Sequence, residues 1–233
     1  MGAIPRRYQV TKEIKQYRQF KPKSDNQHNY IRAMIENDIV FCVGPPGSGK
    51  TAVAVGLAVE RFLNGDVEKI IVTRPTIGTD EDGDRGLGYL PGDIRDKMDP
   101  YLRPIFDELL TYMSKDSVEK AIYEGLIEIA PLDFMRGRTF HDSFVIMDEA
   151  QNVTHNQMKM FTTRLGSRSN MVINGDVDQH DRKGDCALDT WINYIINDVR
   201  GIAVVELEHS DIVRHQLVSA IVNKVKEYEE NNI

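Results

Sequence analysis

The chain has 233 residues and a net charge of −7, with 41% hydrophobic and 28% charged residues. This balance excludes a wholly disordered chain and is typical of one globular domain with short appendages. No apolar run reaches the ~18–20 residues of a membrane-spanning helix, and the N-terminus lacks the apolar stretch of a secretory signal. Cys42 and Cys186 suit neither a disulfide framework nor a zinc motif. We therefore expect a cytoplasmic protein with no membrane partner.

The N-terminal segment is basic, although the chain as a whole is acidic. Residues 1–35 contain eight lysines or arginines against Glu13 and Asp25. A segment of this kind is either a solvated tail or a contact for phosphate groups. We expect residues 1–25 to form a basic N-terminal arm and residues 26–233 to form a single domain.

Hydrophobic patterns along the chain predict alternating strands and helices. Predicted strands cover residues 39–43, 69–73, 126–130, 144–147, 171–174 and 202–206. Predicted helices cover residues 27–36, 50–63, 94–112, 117–123, 154–164 and 187–197, and a last helix begins near residue 212. Residues 76–93 are rich in Gly and Asp and predict a long loop. The alternation predicts an α/β fold with an open, mostly parallel sheet and helices on both faces.

A phosphate-binding motif lies between the first predicted strand and the next helix. Residues 44–51 have the sequence GPPGSGKT, which matches GxxxxGK[ST] in full. Its glycines let successive backbone amides face an anion, and the helix N-terminus adds a positive dipole. We expect Lys50 to contact the β- and γ-phosphates and Thr51 to ligate Mg²⁺. The predicted nucleotide-binding residues here are Gly44, Pro45, Pro46, Gly47, Ser48, Gly49, Lys50, Thr51 and Ala52.

Two acids follow the predicted strand at residues 144–147. An open α/β sheet binds its ligands at the carboxyl ends of its strands, which is where Asp148 and Glu149 lie. Asp148 is predicted to hold Mg²⁺ through water, and Glu149 to polarise the water that attacks the γ-phosphate. An acid directly after the metal-binding Asp favours hydrolysis over phosphate transfer to another acceptor. A small-molecule kinase is the less favoured hypothesis.

Sequence features favour ATP over GTP. The phosphate-binding motif at residues 44–51 is a P-loop. The Asn/Thr-Lys-x-Asp motif that recognises guanine is absent from the sequence after it. Gln27, 17 residues before Gly44, can form paired hydrogen bonds with adenine, although a surface glutamine is an equal interpretation. Gln179 follows the predicted strand at 171–174 and is the candidate sensor of the γ-phosphate, with Asp176 as a group that orients water or Gln179. A plain strand-to-helix turn is the alternative.

These motifs resemble the PhoH-like ATPases. The resemblance spans about residues 27–218 and includes GPPGSGKT, VTRP at 72–75, FVIMDEAQN, MVINGD and two long blocks at residues 87–109 and 127–140. It implies a RecA-like P-loop NTPase fold, a three-layer sandwich similar to one core of superfamily I helicases, with ATP and Mg²⁺ as cofactors. Related proteins hydrolyse ATP, some are described as RNA helicases, and longer ones carry a module absent here. This chain is similar in length to phage-encoded or minimal bacterial members.

The resemblance also implies roles outside the nucleotide motifs. Thr73 and Arg74 correspond to a region that contacts the nucleic-acid backbone in superfamily I helicases. Arg136 and Arg138 flank a glycine and would hold nucleic-acid phosphate or a neighbour's γ-phosphate, unless they form a structural salt bridge to residues 80–84. Arg214 resembles an arginine that lies near the C-terminal end of the family's sequences, and it is the candidate arginine finger. A surface ion pair is an equal alternative.

A common helicase hydrolyses ATP between two tandem cores, and this chain is long enough for only one of them. Motor activity would therefore require several copies of the chain to assemble. The resemblance implies a homo-oligomer, a hexameric ring, in which an arginine of one subunit reaches the neighbour's ATP. The first hypothesis is an ATPase motor that acts on RNA or single-stranded DNA. The alternative is a nucleotide-switched interaction protein with slow turnover and no helicase activity. The chain after residue 35 is acidic and the aromatic content is modest, so the sequence predicts no strong groove for stacking nucleic-acid bases. This alternative therefore stays open.

Overall fold

The computed structural model describes residues 17–75, 94–179 and 186–212, with Lys224 and Tyr228 as isolated positions. These ranges contain one sheet in which every pair of neighbouring strands is parallel. The strands are β1 (Ile39–Val43), β2 (Lys69–Arg74), β3 (Ile127–Pro131), β4 (Ser143–Met147), β5 (Asn170–Gly175) and β6 (Ile202–Glu206). Their order across the sheet is β3-β2-β4-β5-β1-β6. The predicted α/β architecture is confirmed, whereas most of the basic arm, the 76–93 loop and most of the last helix lie outside the described residues.

The helices of the described ranges are close to those predicted. They are α1 (Asp25–Glu36), α2 (Lys50–Asn64), α3 (Ile94–Tyr112), α4 (Lys115–Tyr123), α5 (His155–Thr162) and α6 (Ala187–Thr190). Short 3₁₀ turns follow three strands, at Leu132–Met135, Ala150–Asn152 and His209–Asp211. Polar caps fix the starts of α1, α4 and α5, where Ser24, Ser114 and Thr154 accept hydrogen bonds from backbone amides. Helix α2 instead begins after Gly49, which offers no side-chain cap.

Alternation along each buried strand creates one apolar core on each face of the sheet. In β4, Phe144 and Ile146 face the core formed with α1, α2, α3 and α4. Val145 and Met147 face the opposite core, which includes residues of α5 and α6. Successive strand side chains point to opposite faces, so a continuous apolar strand serves both cores. The result is the three-layer arrangement that the sequence pattern predicts.

The predicted helix at 187–197 is interrupted. Its α-helical part ends at Thr190, and a π-helical turn follows at Trp191–Ile195, closed by a bond from the Ile196 amide to the Trp191 carbonyl. The extra residue in this turn changes which side chain faces inward. Ile196 is 7% exposed, whereas Ile195 is 47% exposed. The π-helical turn therefore places Ile196 rather than Ile195 in the core, which helical periodicity does not predict.

The strand order positions the candidate site. Strand β5 pairs with β1 on one side and with β4 on the other. The carboxyl ends of these three strands lead into the P-loop, the Asp148-Glu149 turn and the turn after Gly175. Three segments distant in sequence therefore meet at one edge of the sheet.

Candidate active site

The P-loop glycines satisfy backbone and packing constraints that other residues do not. Gly44 has φ 152° and Gly49 has φ 96°. A Cβ at Gly44 would lie 2.3 Å from the carbonyl oxygen of Leu207, and one at Gly49 would lie 2.7 Å from Gln27 Nε2. Ser48 is buried, and its hydroxyl donates to the carbonyl of Pro45 at 2.8 Å. The glycines permit a curled conformation of the loop directly before α2, and the bond between Ser48 and Pro45 helps to hold it.

Lys50 extends back across the loop that precedes it. Its Nζ donates to the carbonyl oxygens of Gly44 at 2.5 Å and Pro45 at 3.1 Å. Burial lowers the pKa of Lys50 below its ordinary value of 10.5, against the opposing influence of Cys42 and the acids Asp176, Asp148 and Glu149. The ammonium group therefore lies inside the loop, where charge-assisted bonds to phosphate oxygens would replace these carbonyl contacts.

Asp148 is held from two sides. The Thr51 hydroxyl donates to Asp148 Oδ1 at 2.8 Å. Arg74 donates to Asp148 Oδ2 through Nε at 3.0 Å and Nη2 at 2.5 Å. The Asp148 side chain is 3% exposed, so these bonds compensate for a buried negative charge. Strand β2 and helix α2 together fix the carboxylate at the end of β4.

Glu149 occupies an unusual backbone position, and its side chain faces a cleft beside the P-loop. Its φ is 60°, in the left-handed region that few non-glycine residues adopt. The Glu149 side chain is 47% exposed, and its Oε1 lies 3.6 Å from Arg74 Nη2. Gln151 Nε2 donates to the other oxygen, Oε2, at 2.7 Å. Glu149 therefore remains accessible while its two oxygens are oriented by different neighbours.

Three of the four predicted catalytic side chains, Lys50, Glu149 and Gln179, line one cleft of about 350 Å³. Its described walls are Pro46, Gly47, Gly49, Lys50, Thr51, Ala52, Glu108, Asp148, Glu149, Gly175, Asp176 and Gln179. Asp176 is buried, and its Oδ1 accepts a hydrogen bond from the Asp178 amide. The Gln179 amide donates to the Asp176 carbonyl at 3.1 Å. Asp176 thus shapes the turn that brings Gln179 to the cleft.

Glu108 is a cleft residue that the sequence does not single out. It lies on α3 and lines the same space as Asp148 and Glu149. Burial raises the pKa of Glu108 above its ordinary value of 4.5, opposed by a hydrogen bond with Tyr112 and reinforced by the charge of Asp148. Helical periodicity placed residue 108 in a helix, but no local motif signals that this helix packs beside the P-loop.

Gln27 links α1 to the P-loop. It is 3% exposed, its Nε2 donates to the Ser48 carbonyl at 2.8 Å, and its Oε1 accepts from the Lys23 amide at 2.8 Å. Both functions of the side-chain amide are therefore used by the chain itself. The surface-glutamine alternative is wrong, because the side chain is buried. The adenine contact stays a prediction.

The side chains predicted to contact nucleic acid have different environments. Thr73 is fully buried, and its hydroxyl has no hydrogen-bond partner among the described residues. This burial does not fit a side chain that contacts a polymer. Arg74 contacts Asp148 and Glu149 of the nucleotide cleft.

The two arginines after β3 also differ from each other. Arg138 forms a bidentate ion pair with Glu128 at 2.5 and 2.7 Å and lies over the Phe140 ring. Arg138 is therefore part of a salt bridge within the domain, but the predicted partners at residues 80–84 lie outside the described residues. Arg136 is exposed. Arg214, the candidate finger, lies outside the described residues.

Thr51 and Asp148 fit a magnesium site. A hydroxyl and a carboxylate oxygen are hard ligands, and they already lie 2.8 Å apart. Within the described ranges, no group of three or more His, Cys, Asp or Glu side chains is arranged to hold a metal. Mg²⁺ in nucleotide sites is usually held by one or two protein oxygens together with phosphates and water. The local donor set is therefore sufficient for a metal that arrives with a nucleotide.

This fold and cleft define a P-loop NTPase. Two structures of the large terminase of a thermophilic bacteriophage, one with ADP, share the fold, with TM-scores of 0.50 and 0.52. Their sequences are 12% and 11% identical to this chain over 84% and 86% of its length, and the matched parts are 48% and 49% of the terminase chains. At this identity the likeness establishes the fold alone.

Other proteins are much more similar to this chain in sequence than the terminases are. The family model "PhoH-like protein" matches residues 19–226. The PhoH-like protein of Bacillus subtilis is 46% identical over 92% of this chain, and the protein PhoH of Escherichia coli K12 is 43% identical over 71%. These matches span 66% and 46% of the relatives' own lengths. The chain belongs to the PhoH-like family. No helix in the described ranges combines the length and apolarity needed to cross a bilayer.

Proposed function

We propose that this chain hydrolyses ATP in a Mg²⁺-dependent reaction. The observation that carries the proposal is the convergence of three groups on one cleft. Lys50 lies within the P-loop, Thr51 and Asp148 are bonded to each other, and Glu149 faces the same space. A phosphate cradle beside a metal-binding oxygen pair and an accessible carboxylate is the arrangement that phosphoanhydride hydrolysis requires.

Each side chain has a distinct role in this proposal. The amides of residues 44–51 and the Lys50 ammonium bind the phosphates and orient the γ-phosphate. Thr51 and Asp148 would hold Mg²⁺, which neutralises phosphate charge when it is bound. Glu149 accepts the proton of the attacking water, because its carboxylate is exposed to the cleft. Gln179 contacts the γ-phosphate from the turn after β5.

Adenine selectivity rests on Gln27 in this proposal. Its amide bonds to Ser48 and Lys23 place it directly against the P-loop. The second lone pair of Gln27 Oε1 and the second hydrogen of Nε2 are the groups that would bond to the base. Gln27→Ala is then expected to reduce the preference for ATP over GTP, measured as the ratio of kcat/KM values.

A polymer partner and a ring are further parts of the proposal. Of the described side chains that line the cleft, Lys50 alone is cationic. Charge that develops in the transition state is commonly neutralised by a further arginine, worth ~10³–10⁵ in rate. Arg214 or Arg136 of a neighbouring subunit would supply this charge in a hexameric ring. Exposed Arg136 is the described candidate for a contact with RNA or single-stranded DNA.

Steady-state ATP hydrolysis tests this proposal. The assay uses the full chain with and without Mg²⁺, with single-stranded RNA or DNA, and over a protein dilution series. Glu149→Gln is the control, and it should abolish turnover but retain nucleotide binding. Stimulation by one polymer and loss of specific activity on dilution would support an oligomeric motor. Slow turnover that ignores both polymers and protein concentration would favour the nucleotide-switched interaction protein.

A further inference from the structure

The side chain of Gln151 bridges two parts of the cleft. Its Nε2 donates to Glu149 Oε2 at 2.7 Å, and its Oε1 accepts from the Asp176 backbone amide at 3.1 Å. Gln151 is 4% exposed and lies in the 3₁₀ turn directly after Glu149. The bridge therefore connects the carboxylate that faces the cleft with the turn that carries Gln179.

The orientation of this amide is fixed by its surroundings. A backbone N–H can only donate, so the Asp176 amide must face the Gln151 oxygen. The Gln151 nitrogen is then directed at Glu149, as a carboxylate acceptor requires. Gly175 lies close to the same side chain, because a Cβ at Gly175 would lie 3.0 Å from Gln151 Oε1 and would also meet Leu188 Cδ2. The end of β5 is thus packed directly against the bridging side chain.

Glu149 has a second neighbour, and this one is charged. Arg74 Nη2 lies 3.6 Å from Glu149 Oε1, at the edge of an ion pair, while Arg74 is bonded to Asp148. A carboxylate drawn fully onto Arg74 would turn away from the space that an attacking water would occupy. The shorter bond from Gln151 holds the other oxygen and opposes this movement.

We propose that Gln151 is the positioning residue for Glu149, holding its carboxylate toward the water site and tying it to the turn after β5. This inference rests on the proposed hydrolysis. Gln151 itself does not touch the reacting atoms. Its effect should therefore fall on kcat, whereas nucleotide affinity depends on the P-loop.

Three substitutions separate positioning from packing. Gln151→Glu retains an acceptor for the Asp176 amide but loses the donor to Glu149 and places a second carboxylate beside it. Gln151→Met removes both bonds at similar volume. Gln157→Glu is the matched control, because Gln157 caps α5 as an acceptor from Thr154 and a glutamate serves the same capping role.

The kinetic expectation is specific. Gln151→Glu should lower kcat by about 10- to 100-fold, since small misplacements of a catalytic group have effects of this size. The KM for ATP and the affinity for a fluorescent ADP analogue should change by less than about twofold. Gln157→Glu should leave both parameters unchanged. If Gln151→Glu retains the wild-type kcat while Gln151→Met loses it, the role of Gln151 is to satisfy the Asp176 amide and the proposal is wrong.

A stability cycle tests the contact without using turnover. In Glu149→Gln combined with Gln151→Glu, the donor and acceptor exchange places, so the bond between the two side chains can re-form. Glu149→Gln alone still offers an amide oxygen to Gln151, so the loss of Tm is expected in Gln151→Glu, where two carboxylates face each other. The double variant should recover at least half of that loss. No recovery would overturn the proposed contact. A wild-type protein that fails to hydrolyse ATP would instead refute the proposed function, while the cycle still decides whether Gln151 holds Glu149.

Discussion

Arg74 and Asp148 form an ion pair in which two guanidinium nitrogens contact one carboxylate oxygen. The distances to Asp148 Oδ2 are 3.0 Å from Nε and 2.5 Å from Nη2. The opposite oxygen accepts from Thr51, so both oxygens of the buried carboxylate have partners within the chain. Arg74 therefore belongs to the electrostatic framework of the nucleotide cleft.

Arg74→Gln should destabilise the protein. It leaves Asp148 buried without its cationic partner, and we expect a loss of about 2–3 kcal/mol in the free energy of unfolding. Arg74→Lys should lose less, because it retains the charge but not the two-nitrogen geometry. Urea unfolding measures both values. Arg168→Gln is the matched control, since Arg168 makes a similar two-nitrogen contact with Asp142 at the surface, where little change is expected. Equal losses of stability in Arg74→Gln and Arg168→Gln would contradict the view that Arg74 compensates for the buried charge of Asp148.

Glu108→Gln should stabilise the protein in a pH-dependent manner. Burial raises the pKa of Glu108 above 4.5, so the unfolded chain ionises this carboxyl more readily than the folded protein. The native carboxyl therefore costs stability as the pH rises from 4.5 through its raised pKa, and that cost persists above it. The variant should gain Tm over the wild type at pH 7, and the gain should disappear below pH 4.5. ATP affinity should also increase, by on the order of 1 kcal/mol, because a negative charge leaves the cleft.

Asp107→Asn provides the comparison for this prediction. Asp107 is the preceding residue on α3 and is exposed. Its substitution should change neither the pH dependence of Tm nor ATP affinity. Weaker ATP binding by Glu108→Gln would instead show that Glu108 contributes to the binding of the nucleotide or its metal.

Gly44→Ala should cost much more stability than Gly137→Ala. Both positions have positive φ, but an added Cβ at Gly44 meets the Leu207 carbonyl, whereas nothing lies within 4 Å of one at Gly137. Backbone strain alone costs about 1–2 kcal/mol, and overpacking adds about 1–3 kcal/mol. Thermal unfolding of the two variants provides the comparison. Equal losses would show that steric contact with Leu207 is relieved at little cost.

Arg136→Ala and Arg138→Ala should affect different properties. Arg138 is paired with Glu128, so its loss should lower stability by about 1 kcal/mol. Arg136 is exposed, so its loss should leave Tm unchanged and, if this turn binds polymer, weaken RNA or single-stranded DNA binding. Fluorescence anisotropy over a range of salt concentrations measures this effect. Unchanged affinity in Arg136→Ala would remove this turn from the proposed nucleic-acid interface.

The strands and helices were predictable where one local signal dominates. Strands β1 and β6 and helix α3 have the predicted bounds, because a continuous apolar run or helical periodicity decides each of them. Capping residues moved other boundaries, as at Ser114, where α4 begins two residues before the predicted start. The π-helical turn after α6 was not predictable, since it accompanies the burial of Ile196 in the assembled core and no local pattern signals it.

The candidate phosphate-binding and acidic residues of the cleft are recognisable from local sequence patterns. The P-loop spacing and the acid pair after an apolar strand require particular residue types in a fixed local order, and such patterns are visible without coordinates. The groups that surround these residues are set by the packing of the folded chain. The contact of Arg74 with Asp148, the place of Glu108 beside them and the bridge from Gln151 to the Asp176 amide depend on strand order and helix packing. Those are set by the burial of apolar surface across the whole sheet, and no local motif encodes them.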